Sequence, residues 1–146
     1  MVEMVTLRER FRVVAPDASN AHIVVDLRLG SREVHFIVDS GASCSVLDAR
    51  LAEPYRQGGD EPMDAMGLGG MLEGIEQLVV GDLWFGGHCL PKLPMVRADL
   101  ESFRQLYAEH LGESVDGLLG CDLLQRYRAT LSFARRWLTL RVPIGA

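Results

Sequence analysis

The sequence predicts an all-β protein: mainly strand with two or three short helices, arranged as a closed or folded sheet and not as a βαβ chain. Three observations carry this. Short runs rich in β-branched and aromatic residues recur along the chain. Most of them end at Gly, Pro, Asp or Ser. Only one stretch, around Leu100, Phe103, Tyr107 and Leu111, has clear helical spacing. The length of 146 residues is that of one domain, taken as 1–146 with a core of about 22–142, and 48% hydrophobic residues are enough for a real interior.

Taken in order, Phe11–Val14 reads as a strand ending at the turn signal Pro16-Asp17. His22–Leu29 and Glu33–Val38 flank Gly30-Ser31 and form a hairpin signal. Ser45–Leu51 is expected to be a short helix, with Ser45 as cap and Asp48 in the first turn. Residues 57–62 form a polar loop. Met66-Gly-Leu-Gly-Gly-Met71 is a glycine cluster set among apolar residues, the pattern of a bulge or close backbone approach.

Gln77–Val80 and Leu83–Phe85 are short strands, with a hairpin turn expected at Gly81-Asp82, and Leu93–Val96 continues the β pattern. A helix is expected over 99–111, stopped by Gly112. Leu118-Leu119-Gly120 is a short buried strand, Asp122 caps a helical turn through Tyr127, and a last hairpin joins Ala129–Phe133 to Trp137–Val142 across Ala134-Arg135-Arg136.

Charge and composition exclude several functions. With 15 basic against 20 acidic residues the net charge is −5, which argues against nucleic-acid binding by bulk charge. Arg126, Arg128, Arg135 and Arg136 form a local basic group that reads as a solvated face. No apolar run approaches the roughly 18 residues needed to cross a bilayer, and the charged start, Met1 to Arg12, is not a secretory signal as it stands. Cys44, Cys89 and Cys121 are odd in number and widely spaced, and the histidines are scattered. The expectation is therefore no disulfide framework, no metal, no cofactor and a cytoplasmic location. His35 shares a strand face with Ile37 and reads as a hydrogen-bonded strand residue. Cys44 is either a small buried residue or a redox handle.

The strongest chemical signal is Phe36-Ile-Val-Asp-Ser-Gly-Ala-Ser43. Three apolar residues take a strand into the interior, and the chain then delivers Asp39 and turns at Gly41. A buried carboxylate is costly unless hydrogen-bonded or paired. A plain Asp-Ser-Gly surface turn is the competing reading. About 80 residues later comes Asp116-Gly-Leu-Leu-Gly-Cys-Asp-Leu-Leu124, with the glycine cluster lying between the two segments.

These three segments, in this order, resemble the retropepsin-like aspartic proteases, over about His22 to Phe133. That family has a strand followed by an Asp-Thr/Ser-Gly-Ala loop, a flap hairpin, and a hydrophobic-hydrophobic-Gly strand leading into a short helix. The resemblance implies a closed acid-protease β-barrel, one lobe per chain, that hydrolyses peptide bonds through water. One such motif is present, so Asp39 would meet Asp39 of a second subunit in a homodimer. Two carboxylates at such range share one proton, and the pair works as acid and base without metal or covalent intermediate.

On the same resemblance Ser40 locks the dyad by bonding to the partner loop, and Gly41 supplies backbone and room for substrate. Ala42, Met66, Gly67, Leu68, Gly69, Gly70, Leu118 and Leu119 would contact a peptide or protein substrate. Retroviral members carry Asp after the Ala and Arg after the second-motif Gly. Here Ser43 and Cys121 stand in those places, so the chain looks more like the stand-alone cellular and bacterial relatives. The alternative function is a non-catalytic peptide-binding or dimerisation module of the same fold.

Overall fold

The apolar runs assemble into one long, folded sheet. The computed structural model describes residues 2–56, 63–67, 70–105 and 114–144, and of residues 16, 17, 20, 63–67 and 70–75 the backbone alone. Among the described residues the strands are β1 (Glu3–Asp17), β2 (Asn20–Leu29), β3 (Arg32–Val38), β4 (Val46–Asp48), β5 (Met63–Gly67), β6 (Gly70–Val80), β7 (Leu83–Phe85), β8 (His88–Cys89), β9 (Leu93–Ala98), β10 (Gly117–Leu119), β11 (Thr130–Ser132) and β12 (Trp137–Ile144). A short helix spans Cys121–Arg126, and residues 101–105 are helical.

The sheet runs β11-β12-β1-β2-β3-β10-β4-β9-β6-β5, with β7 paired to β2 and to β8. This path is open. Among the described residues β5 and β11 each pair on one side only, so the expected closed barrel is corrected to a folded sheet. The central strands β3 and β10 are apolar on both faces, which is why their sequence reads as nearly continuous hydrophobic runs. Phe36, Val38 and Leu119 point into the larger core with Phe11, Leu47, Phe85 and Leu138. Ile37 and Leu118 point the other way, into a smaller cluster with Val24, Val46, Val96 and Leu100.

The β2–β3 hairpin turns at Gly30, whose φ of +62° suits glycine, and the last hairpin joins β11 to β12, both as expected. Other expectations are revised. β1 begins at Glu3, well before Phe11, because its first half pairs with β12 from Glu3↔Ile144 to Arg10↔Trp137. Ser45–Leu51 is not a helix. Val46–Asp48 form β4, wedged between β10 and β9, and only Ala49–Leu51 makes a 3₁₀ turn.

β6 and β7 do not pair with each other, so Gly81-Asp82 is a crossing and not a hairpin turn. β6 pairs with β9, β7 pairs with β2, and the Asp82 carbonyl accepts from Gly30 N–H at 2.9 Å. Of the expected helix over 99–111, residues 101–105 are helical and those from 106 lie outside the described residues, as does the polar loop over 57–62. The helix Cys121–Arg126 is capped by Gly120, and Asp122 sits inside its first turn, free for other bonds.

Candidate active site

Two motifs 80 residues apart in sequence meet because β10 runs parallel to β3, with Phe36↔Gly117, Ile37↔Leu118 and Val38↔Leu119 in register. The next step of that ladder is Asp39, whose N–H donates to the Leu119 carbonyl at 2.9 Å. The chain then turns tightly. Ala42 N–H donates to the Asp39 carbonyl at 3.1 Å, and Gly41 N–H donates to Asp39 Oδ1 at 2.9 Å. The carboxylate is thus held from its own loop, is half-buried, and among the described residues has no ion-pair partner.

A polar latch ties this loop to the second motif. Ser45, buried to 1% exposure, accepts from Gly120 N–H at 3.0 Å and donates to Asp122 Oδ1 at 2.8 Å. Cys121 N–H donates to the Ala42 carbonyl at 2.7 Å. Gly120 is required here: a Cβ would stand 2.6 Å from the Cys44 carbonyl oxygen and 3.0 Å from that of Ala42. By sequence the Ser45 hydroxyl and the Asp122 carboxylate both have the position of helix caps. Their true role needs the contact between β4 and β10.

Behind the latch lies an ionic cluster. Asp48 is fully buried. It accepts from Arg50 Nε at 2.6 Å, Arg104 Nη1 at 2.6 Å and Leu100 N–H at 2.9 Å. Asp116 accepts from Arg50 Nη2 at 2.8 Å and from His35 N–H at 2.8 Å. Burial pushes the Asp48 pKa up, but the Leu100 and Arg50 hydrogen bonds outweigh it and hold the carboxyl below its ordinary value. This cluster pins the 99–105 segment and the start of β10 to β4. Its charges are mutually satisfied, so it has a structural role.

The other expected site residues fall in distinct places. Ser40 and Gly41 are exposed beside Asp39, while Ala42 is buried at 1% exposure. Leu118 and Leu119, expected to line a pocket, are 2% and 1% exposed and belong to the two cores within the chain. Met66, Gly67 and Gly70 sit at the end of the β5–β6 hairpin, with Met66↔Met71 and Gly67↔Gly70 opposed. Leu68 and Gly69 lie outside the described residues.

A second polar cluster lies toward the opposite end of β3. Asp26, Glu33 and His35 offer ligand-type atoms within 4.8 Å of one another. Asp26 Oδ1, however, already receives Arg12 Nη2 at 2.6 Å and lies 2.7 Å from His35 Nδ1. Burial raises the Asp26 pKa, yet these partners hold the carboxyl below its ordinary range. The group is a cross-strand charge ladder, and His35 is the hydrogen-bonded strand residue expected. A cavity of about 560 Å³ adjoins it, lined by Glu9, Asp26, Glu33 and Trp84 among others. Glu33 is separated from Asp39 by six residues of strand, roughly 20 Å, so this cavity is remote from the Asp39 loop.

No curated protein sequence matches. By structure, the chain is similar to a retropepsin-like aspartic protease from Rickettsia conorii (14% identity, TM-score 0.53, 99% of this chain and 97% of that one). It is similar also to the retroviral protease-like domain of Ddi1 from Leishmania major (17% identity, TM-score 0.54, 84% of this chain and 92% of that one). These likenesses establish the retropepsin-like fold. A family model described as aspartyl protease matches residues 25–123, which include both the Asp39 loop and the Gly120 turn, and the chain belongs to that family.

Proposed function

We propose that this protein is an aspartic endopeptidase that works as a homodimer, with Asp39 of each subunit forming the catalytic pair. The observation that carries this reading is the Asp39 carboxylate itself. It is presented at the end of a central strand, held by the Gly41 amide, and unpaired with any cation among the described residues. A carboxylate held in place but not neutralised suits acid–base work.

In the dimer one carboxylate takes a proton from water as the other donates to the scissile carbonyl, the shared proton being a property of the pair. Ser40, exposed beside Asp39, bonds to the partner loop, and Gly41 leaves room for the substrate backbone. The β5–β6 hairpin acts as a flap over an extended peptide, with Met66, Gly67 and Gly70 at its end. Leu118 and Leu119 shape the site from below, through the packing of β10. The three free thiols accord with work in the cytoplasm.

One observation favours the non-catalytic alternative. The two terminal strands already pair with each other within the chain, β1 with β12, so that pairing is not open to a partner. Sedimentation shows whether the chain dimerises. A peptide-library digest between about pH 4 and 7, with Asp39→Ala and pepstatin controls, shows whether it cleaves. Cleavage lost in Asp39→Ala supports the enzyme. Cleavage retained there ends this assignment, and dimers without cleavage favour the binding module.

A further inference from the structure

The loop that carries Asp39 also supplies Cys44 to a cavity of about 180 Å³, which is otherwise lined by Gln77 of β6, Pro94, Met95 and Val96 of β9, and Asp122. Among the described residues its wall is mostly apolar, and Asp122, an exposed residue, is its one charged group. The two oxygens of that carboxylate are differently placed. Oδ1 is committed, accepting from Ser45 Oγ at 2.8 Å and from Leu123 N–H at 2.7 Å. Oδ2 has no hydrogen-bond or ion-pair partner among the described residues. Arg126, the cation on the same helix, borders a separate crevice that it shares with Asp122.

An apolar slot with an oriented, half-used carboxylate complements a long aliphatic stem that ends in a cation. Resting on the endopeptidase reading, the geometry points to a subsite for a Lys or Arg side chain of the substrate, with Asp122 Oδ2 taking the charged head. Pro94, Met95 and Val96 would cover the stem. Cys44 places the subsite on the same loop as the reacting carboxylate. Gln77 places it beneath the strand that continues into the β5–β6 hairpin. Ser45 orients Asp122 and latches the Asp39 loop, so one hydroxyl sets the geometry of both.

The test is direct binding, measured by fluorescence anisotropy on full-length Asp39→Asn. The probes are labelled apolar hexapeptides in which Lys, norleucine or Glu replaces each position in turn. One position is expected where the Lys peptide binds at least tenfold tighter than the norleucine peptide, about 1.4 kcal/mol. The preference should weaken as salt rises. Adding Asp122→Asn, which keeps an acceptor for Ser45 and Leu123 but removes the charge, is expected to bring the ratio near one. Adding Gln77→Lys, which plants a cation in the slot, should do the same if the Asn variant melts early. No peptide binding, no position that prefers Lys, a preference for Glu, or a Lys preference that survives both variants would overturn the subsite. Failure of the wild type to cleave any peptide sinks the endopeptidase reading alone, because this preference is read from binding.

Discussion

The amide N–H of Gly41 donates to Oδ1 of Asp39 at 2.9 Å, so the residue that turns the chain also aims the carboxylate. A Cβ on Gly41 would stand 3.2 Å from that same oxygen. Gly41→Ala should therefore shift the carboxylate while leaving the fold intact. On the endopeptidase reading proposed above, a misplacement of this kind costs on the order of 10²-fold in kcat/KM, with the melting temperature almost unchanged. Equal turnover of the two proteins would show that the loop does not set the position of the acid.

Ser45 satisfies Gly120 N–H and Asp122 together from a buried position. Removing the hydroxyl in Ser45→Ala leaves a buried donor unpaired, at about 1–3 kcal/mol. Urea unfolding should show a lower midpoint at unchanged slope. A midpoint equal to wild type would mean that water replaces the hydroxyl without loss.

The Asp48 cluster sets the response to acid. Its carboxyl is held below the ordinary value of 3.8 in the folded chain, whereas in the unfolded chain it returns to that value. Above the unfolded value both states are ionised and the contribution is complete. As pH falls through the folded value it is lost, because the unfolded state binds the proton first. Asp48→Asn should destabilise the protein at neutral pH by about 1–3 kcal/mol, since Arg104 and the half-exposed Arg50 lose a charged partner while keeping Glu101 and Asp116. It should also flatten part of the stability decline below about pH 4. Equilibrium unfolding across pH 3 to 7 measures both.

Tyr55 controls the alkaline side. Burial, then its hydrogen bond to Asp82 Oδ2 at 3.0 Å, pushes its pKa up to about 12. The unfolded chain loses this proton nearer 10, so stability falls as pH rises above the unfolded value. Tyr55→Phe should move the alkaline unfolding midpoint, followed by circular dichroism, to higher pH. An unchanged or lower midpoint would argue against this contribution.

Much of the architecture was legible in the residues. Turn chemistry at Gly30-Ser31 and across 134–136 marked two true hairpins, because those turns depend on a few neighbouring residues. Continuous apolar runs at Phe36–Val38 and Leu118–Leu119 marked the doubly covered centre of the sheet. The order of the Asp39 loop, the glycine-flanked hairpin and the Leu-Leu-Gly strand indicated the fold family. Val46–Asp48 carries the cap signal of a helix in Ser45, whereas the strand exists only through its neighbours β9 and β10. The extended start of β1 was invisible for the same reason, since its partner is the far end of the chain.

The sequence by itself determined that a lone acid in an Asp-Ser-Gly loop would follow a buried strand, because strand burial and turn formation are written in consecutive residues. Only the tertiary structure decided that Ser45 and Asp122 fasten that loop, that Asp48 is a buried counter-ion, and that the sheet stays open. Each of these depends on groups far apart in the chain being brought within hydrogen-bonding range, and no local pattern encodes such distances.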